Sequence, residues 1–336
     1  MTQLDNNSRV LITGGAGFIG SSLCQALLAR GCRVTALDDL STGRLANLAE
    51  MADDRRFVFV QDSVANEIVL DHQVRESDLV FHLAAAVGVE LIVRDPVHTL
   101  ETNILGTRAV LRAAQRYGRM VLLASTSEVY GKSERVPFRE DGDRVLGPTL
   151  GARWSYASSK AIGEYLGLAY HRQWQVPVVI ARLFNIIGPR QRGRYGMVVP
   201  RLVGQALRGD RLTVYGDGRQ TRCFLDVDDA VRALIALVET PGAIGQVVNV
   251  GSTDELSILD LAHRLLELVN GREASPDDMI RFVSYEEVFG TGFEDLRRRL
   301  PDISKLQGLT GWRRQIPLDQ TLGQVIAAAR ERSRGD

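Results

Sequence analysis

From residue 9 onward, short apolar, β-branched runs alternate with longer stretches whose apolar positions recur every three or four residues. RVLIT (9–13) leads into the helical FIGSSLCQALLAR (18–30), and RVTALD (33–38) into the polar turn STGRLAN (41–47). RFVFVQD (56–62), DLVFHLAAA (78–86), MVLLAST (120–126) and VPVVIARLFN (176–185) continue the series, with helical periodicity over 98–117 and 155–173 between the later runs. Continuously apolar strands separated by helices predict a doubly wound α/β domain, a parallel sheet of six or more strands covered on both faces. After Pro189 the alternation loosens: helix 197–208, strand 212–215, helix 227–239, strand 246–251, helix 257–269 and a last C-terminal helix predict a smaller mixed α/β lobe closing over a cleft. The expected division is 1–185 and 186–336, partly intertwined because 177–182 still reads as core sheet.

A chain of 336 residues exceeds the usual single core, which agrees with a large domain and a smaller companion. Its 41 basic and 41 acidic residues form no long basic stripe, which argues against nucleic acid or an anionic membrane as main partner. Cys24, Cys32 and Cys223 lack metal-ligand spacing, so no metal site is expected, and their sparse, odd count suits a reducing compartment. The N-terminus is too polar for a signal peptide and no apolar run suffices for a membrane helix, so a cytoplasmic protein is expected.

Directly after the first strand stand Gly14, Gly17 and Gly20 at three-residue spacing, in Thr-Gly-Gly-Ala-Gly-Phe-Ile-Gly. Glycine permits the tight turn, close approach to a pyrophosphate and close helix packing, while the helix N-terminus carrying Phe18 and Ile19 attracts phosphate charge. The second strand ends in Asp38, about 20 residues beyond, where a carboxylate accepts ribose hydroxyls and repels a 2′-phosphate; NAD is expected over NADP, with Arg44 the residue that would favour the reverse. Asp62, ending the third strand, and Ala84, in Leu-Ala-Ala-Ala after the fourth, are expected along the adenine and ribose sites; strand-end capping and small-residue packing are their alternative roles.

Tyr156 and Lys160 open a helix one turn apart on one face. An ammonium beside a phenol favours phenolate and makes tyrosine a usable base near neutral pH.

With these residues assembled, TGGAGFIG, LASTSEVYG, the Tyr-x-x-x-Lys pair, Arg182-Leu-Phe-Asn185, Tyr215-Gly-Asp-Gly218 and the Arg-Leu-Pro-Asp of 299–302 resemble the extended short-chain dehydrogenase/reductases, Rossmann-fold enzymes that include nucleotide-sugar epimerases, dehydratases and decarboxylases. The resemblance implies that Tyr156 takes the proton from a sugar 4-hydroxyl during oxidation at C4 by bound NAD, with Lys160 on the nicotinamide ribose. It further implies that Thr126 hydrogen-bonds the same oxygen with Ser125 as support, that Asn185, Arg222 and Arg299 hold the diphosphate, and that 193–198 and 212–215, including Tyr215, surround the base. Sensors of this fold usually lack the tyrosine or lysine that this chain keeps. Helices 98–117 and 155–173 carry apolar faces beyond what one sheet needs, and the resemblance to a family that commonly pairs such helices across a four-helix contact implies a homodimer.

A 4-keto intermediate permits three outcomes: re-reduction on the other face, elimination across C5 and C6, or loss of a C6 carboxylate as carbon dioxide. The dehydratases usually carry Thr-Asp-Glu where this chain reads Thr126-Ser127-Glu128, and simple 4-epimerases lack a carboxylate at the Glu128 position. LASTSEVYG, the 212–216 stretch and Gln220-Thr-Arg222 resemble UDP-glucuronate decarboxylases, whereas Ala157-Ser158-Ser159 and the Ala-Val-Gly-Val at 86–89 depart from them. Decarboxylation of a UDP-uronic acid, with Ser127 and Glu128 beside C5, is therefore the expected reaction. Epimerisation at C4 is the alternative, ahead of 4,6-dehydration.

Overall fold

A computed structural model describes residues 3–87, 95–149, 153–193, 197–271, 277–289 and 296–335. Gly88, Val89 and residues 194–196, all named above, lie outside the described residues.

Six strands follow the predicted runs: β1 (Arg9–Thr13), β2 (Arg33–Asp38), β3 (Phe57–Gln61), β4 (Leu79–His82), β5 (Met120–Thr126) and β6 (Val178–Leu183). All pair in parallel, and Val247–Val250 from the second half joins beyond β6 as a seventh strand. Across the sheet the order is β3, β2, β1, β4, β5, β6 and Val247–Val250. Because the chain goes outward from β1 to β3 and then returns to β4, the strand order reverses between β1 and β4, and a crevice opens at their C-terminal ends.

One face of the sheet is covered by Phe18–Ala29 and Val227–Glu239, and the other by Glu67–Arg75, Pro96–Tyr117 and Arg153–Trp174, which explains why β4 is buried along its whole length. The Pro96–Tyr117 helix starts on an Asp95 cap with proline in its first turn and stops at Gly118, which adopts φ 63°. A separate core lies among the helices Val198–Leu207, Ile258–Asn270 and Leu318–Gly335. Among the described residues, three two-stranded ladders complete the second half, one of them pairing Leu212–Tyr215 with Ile280–Val283. Val227–Glu239 packs on Phe18–Ala29, so the second half contributes both a strand and a covering helix to the main sheet.

Candidate active site

At the crevice, Gly14 takes φ 74° and donates its N–H to the Leu37 carbonyl at 2.8 Å. A Cβ there would lie 2.8 Å from the Ala84 backbone nitrogen, and one at Gly20 would lie 2.1 Å from the Gly14 carbonyl oxygen. Only glycine lets the turn and the helix approach this closely. Gly17 caps the Phe18–Ala29 helix without a side chain, so the first-turn N–H groups are left for another acceptor. The side chains of Phe18 and Ile19 pack instead against the core beneath, the Phe18 ring beside Gly188.

Asp38 ends β2 with its carboxylate buried, accepting N–H bonds from Ala16 at 3.0 Å and Leu40 at 2.8 Å. Burial raises its proton affinity and the two N–H groups offset this in part. It lines an open cleft together with Gly14, Gly17, Asp62, Ala84 and Thr102. Asp62 lines this cleft and also caps the strand end, accepting from Ser63 N–H at 2.7 Å and from the Asn66 amide at 3.0 Å. A glycine turn without side chains, an uncapped helix N-terminus and a fixed carboxylate fit the pyrophosphate and adenosine ribose of NAD.

Behind the cleft lies a chain the sequence reading did not identify. The Thr13 hydroxyl is 2.8 Å from His82 Nδ1, and His82 Nε2 is 3.2 Å from the Thr107 hydroxyl, which donates to the Asn103 carbonyl at 2.7 Å. Thr107 therefore accepts from Nε2–H and Thr13 donates to Nδ1, so His82 is neutral; burial, and secondly the Lys160 charge, push its pKa down to about 3. The Asn103 amide accepts from Ala86 N–H at 2.9 Å and donates to Ser159 Oγ at 3.1 Å, while Ser159 donates to the Tyr156 carbonyl at 2.8 Å. The loop that lines the cleft is thus tied to the helix bearing Tyr156 and Lys160. The available signal was a set of polar residues, His82 and Asn103, inside otherwise apolar elements.

Tyr156 and Lys160 are each 8% exposed. Burial takes the Lys160 ammonium down to about 8, opposed in part by Glu164 one turn further along. Thr126 stands half-buried at the end of β5 and caps the following turn, Ser127–Tyr130, by accepting from Glu128 N–H at 3.2 Å. Ser125 points the other way and donates to Glu164 at 2.5 Å. The Ser127–Tyr130 turn packs on the Arg153–Trp174 helix, which brings the Thr126 segment against the Tyr156 segment.

Arg299 Nη1 donates to Glu128 Oε1, and the two side chains are 8% and 15% exposed. The position of Arg299 follows from the next three residues, which are clipped to Phe138: Phe138 N–H donates to Leu300 O and Asp302 N–H to Phe138 O. A residue expected at the diphosphate and one expected at C5 therefore form a single buried ion pair. Arg222 Nη1 donates to the Leu296 and Thr221 carbonyls, both at 2.8 Å, which sets it beside the same segment. Asn185 takes φ 40°, tolerated by asparagine, and its amide donates to the Cys223 carbonyl at 3.0 Å. Tyr215 lies under the Arg201 guanidinium, 4.2 Å from the ring centre, and edge-on to Tyr285. Among the described residues no group of three or more His, Cys, Asp or Glu side chains forms a metal-ligand set, and no helix is long and apolar enough to cross a membrane.

The chain is similar to several known proteins. Residues 10–251 match the family described as the NAD dependent epimerase/dehydratase family. The UDP-N-acetyl-alpha-D-glucosaminuronate decarboxylase of Bacillus cytotoxicus is 41% identical over 96% of this chain and 98% of its own length. UDP-glucuronic acid decarboxylase 1 of Xenopus tropicalis is 38% identical over 96% of this chain and 72% of its own. The solved UDP-glucuronic acid 4-epimerase of Bacillus cereus, in complex with UDP-glucuronic acid and NAD, matches with TM-score 0.85 and 32% identity over 96% of this chain and 99% of its own.

Proposed function

Since the chain belongs to the NAD-dependent epimerase/dehydratase family, we propose that it decarboxylates a UDP-linked uronic acid through transient oxidation at C4. The observation that carries the reading is the buried Glu128 and Arg299 pair beside Thr126. An arginine in that place matches the uronate carboxylate in charge and in bidentate geometry, and Glu128 occupies Arg299 until the substrate arrives. Relatives named as decarboxylases of two different UDP-uronic acids support the same reading.

In this mechanism Tyr156 accepts the proton from the C4 hydroxyl, Lys160 stabilises the phenolate, and the Thr126 hydroxyl orients the sugar oxygen. NAD, held by the glycine turn, Asp38 and Lys160, supplies the hydride acceptor for oxidation and the hydride donor for later reduction. Once C4 is a ketone, the C6 carboxylate belongs to a β-keto acid and leaves as carbon dioxide. Tyr156 and Thr126 hold the resulting enolate oxygen, and C5 regains a proton at the corner formed by Ser127, Glu128 and Arg299. Arg222, Asn185 and Tyr215 bind the nucleoside diphosphate.

The helices Pro96–Tyr117 and Arg153–Trp174 lie side by side and expose Val97 (63%), Leu105, Ile162 and Tyr165 (65%). This apolar strip supports a homodimer, read by light scattering on purified protein. The free, buried cysteines support a cytoplasmic location.

The test is incubation with NAD and either UDP-glucuronate or UDP-N-acetylglucosaminuronate, followed by mass spectrometry. Loss of carbon dioxide from one of them is expected. An unchanged mass with a new sugar configuration would replace the reading with 4-epimerisation, and loss of water with dehydration. Tyr156→Phe should abolish product while retaining NAD.

A further inference from the structure

We propose that Glu164 is a positioning residue for the oxidation step, a single buried carboxylate that holds both the charge of Lys160 and the end of β5 carrying Thr126. The inference rests on the roles given to Tyr156 and Lys160 above. Glu164 follows Lys160 by one helical turn on the same face and is 6% exposed. Its Oε1 accepts from Ser125 Oγ at 2.5 Å and from Arg182 Nε at 2.9 Å, and its Oε2 accepts from Arg182 Nη2 at 2.7 Å. Arg182 Nη1 donates to the Tyr130 hydroxyl at 2.8 Å, which donates to Asn249 at 2.7 Å. The carboxylate is therefore immobilised from two strands, with a guanidinium on one side and the Lys160 ammonium one turn away.

The surroundings leave Lys160 dependent on this acid. From β4, His82 is neutral; from the Pro96–Tyr117 helix, Asn103 and Thr107 are uncharged; from β6 comes a second cation, Arg182. The Ser127–Tyr130 turn brings Tyr130, whose hydroxyl burial pushes up to about 12, and Glu128, already engaged by Arg299. On its own helix Lys160 has Tyr156 and Glu164, and Glu164 opposes the burial that lowers its pKa. With the Glu164 charge removed, two cations would share a dry region. Arginine keeps its proton, so lysine gives up its own.

The test is the pH profile of kcat for product formation by the NAD-loaded enzyme, comparing wild type with Glu164→Gln and Arg182→Gln. Wild-type turnover comes first, since an inactive wild type counts against the proposed reaction and not against Glu164. Glu164→Gln should move the alkaline limb of the profile, where Lys160 gives up its proton, to lower pH by about one unit, because the ammonium loses the negative charge one turn away. Arg182→Gln should move that limb to higher pH, because the carboxylate no longer shares its charge with a guanidinium. A residue that only braces the fold would lower kcat with the limb unmoved. That result in folded Glu164→Gln, or shifts of the same sign in both variants, overturns the proposal. Should Glu164→Gln fail to fold, Arg182→Gln decides alone; failure of both assigns the network to folding and also overturns it.

Discussion

Replacing Lys160 by methionine should stabilise the cofactor-free protein while removing its activity. The ammonium is buried and has its pKa lowered from 10.5 to about 8, chiefly by loss of water and despite Glu164. At about 1.4 kcal/mol for each pH unit, holding that cation costs folding about 3 kcal/mol at neutral pH. Methionine has nearly the same length and needs no water, so Lys160→Met recovers most of this. An unfolding entropy of about 2.1 cal/mol/K per residue over 336 residues turns 3 kcal/mol into a rise of about 4 °C in Tm. The pH dependence has a definite sign. Between pH 8 and 10.5 the unfolded chain keeps a proton on Lys160 that the folded chain has shed, so wild-type stability rises with pH there. The advantage of the variant should be constant below pH 8 and should close as pH approaches 10.5. Circular dichroism melts of both proteins, stripped of NAD, at a series of pH values measure this. Turnover of the variant should fall by roughly a hundredfold or more, because the phenolate of Tyr156 loses its cation. A variant that melts below wild type at pH 7, or a gap that does not narrow above pH 8, would refute the reasoning.

Three further outcomes are expected. Glu128→Gln should leave C4 oxidation measurable as reduced nicotinamide absorbance while slowing formation of the C5-protonated pentose product by roughly a hundredfold, a split that Tyr156→Phe cannot produce. Gly20→Ala places a Cβ 2.1 Å from the Gly14 carbonyl and should weaken NAD binding at least about tenfold by calorimetry, since the helix must move off the turn that cradles the pyrophosphate. Asp229, fully buried, accepts N–H bonds from Gln315 and Ile316 and an Arg232 guanidinium, so Asp229→Ala should lower stability by about 3 kcal/mol in denaturant titrations with kcat per folded molecule nearly unchanged.

The parallel sheet, the glycine turn, Asp38 and the Tyr156 and Lys160 pair were legible in the sequence because each rests on local spacing: strand period, three-residue glycine spacing, one helical turn. NAD as cofactor followed from that placement. What only the tertiary structure decided are contacts between segments far apart in the chain. Arg299 meets Glu128 because residues 300–302 are clipped to Phe138, and no spacing in the sequence announces a pairing 171 residues long. Val247–Val250 completes a sheet begun in the first half because β6 still offers a free edge to an apolar strand. Ser125 and Thr126, adjacent and chemically alike, face opposite ways because successive residues of a strand must, so one hydroxyl braces Glu164 and the other caps the turn bearing Glu128. Side-chain chemistry can be read along the chain; which groups share a dry space, and so how tightly they hold their protons, is set only when the elements pack.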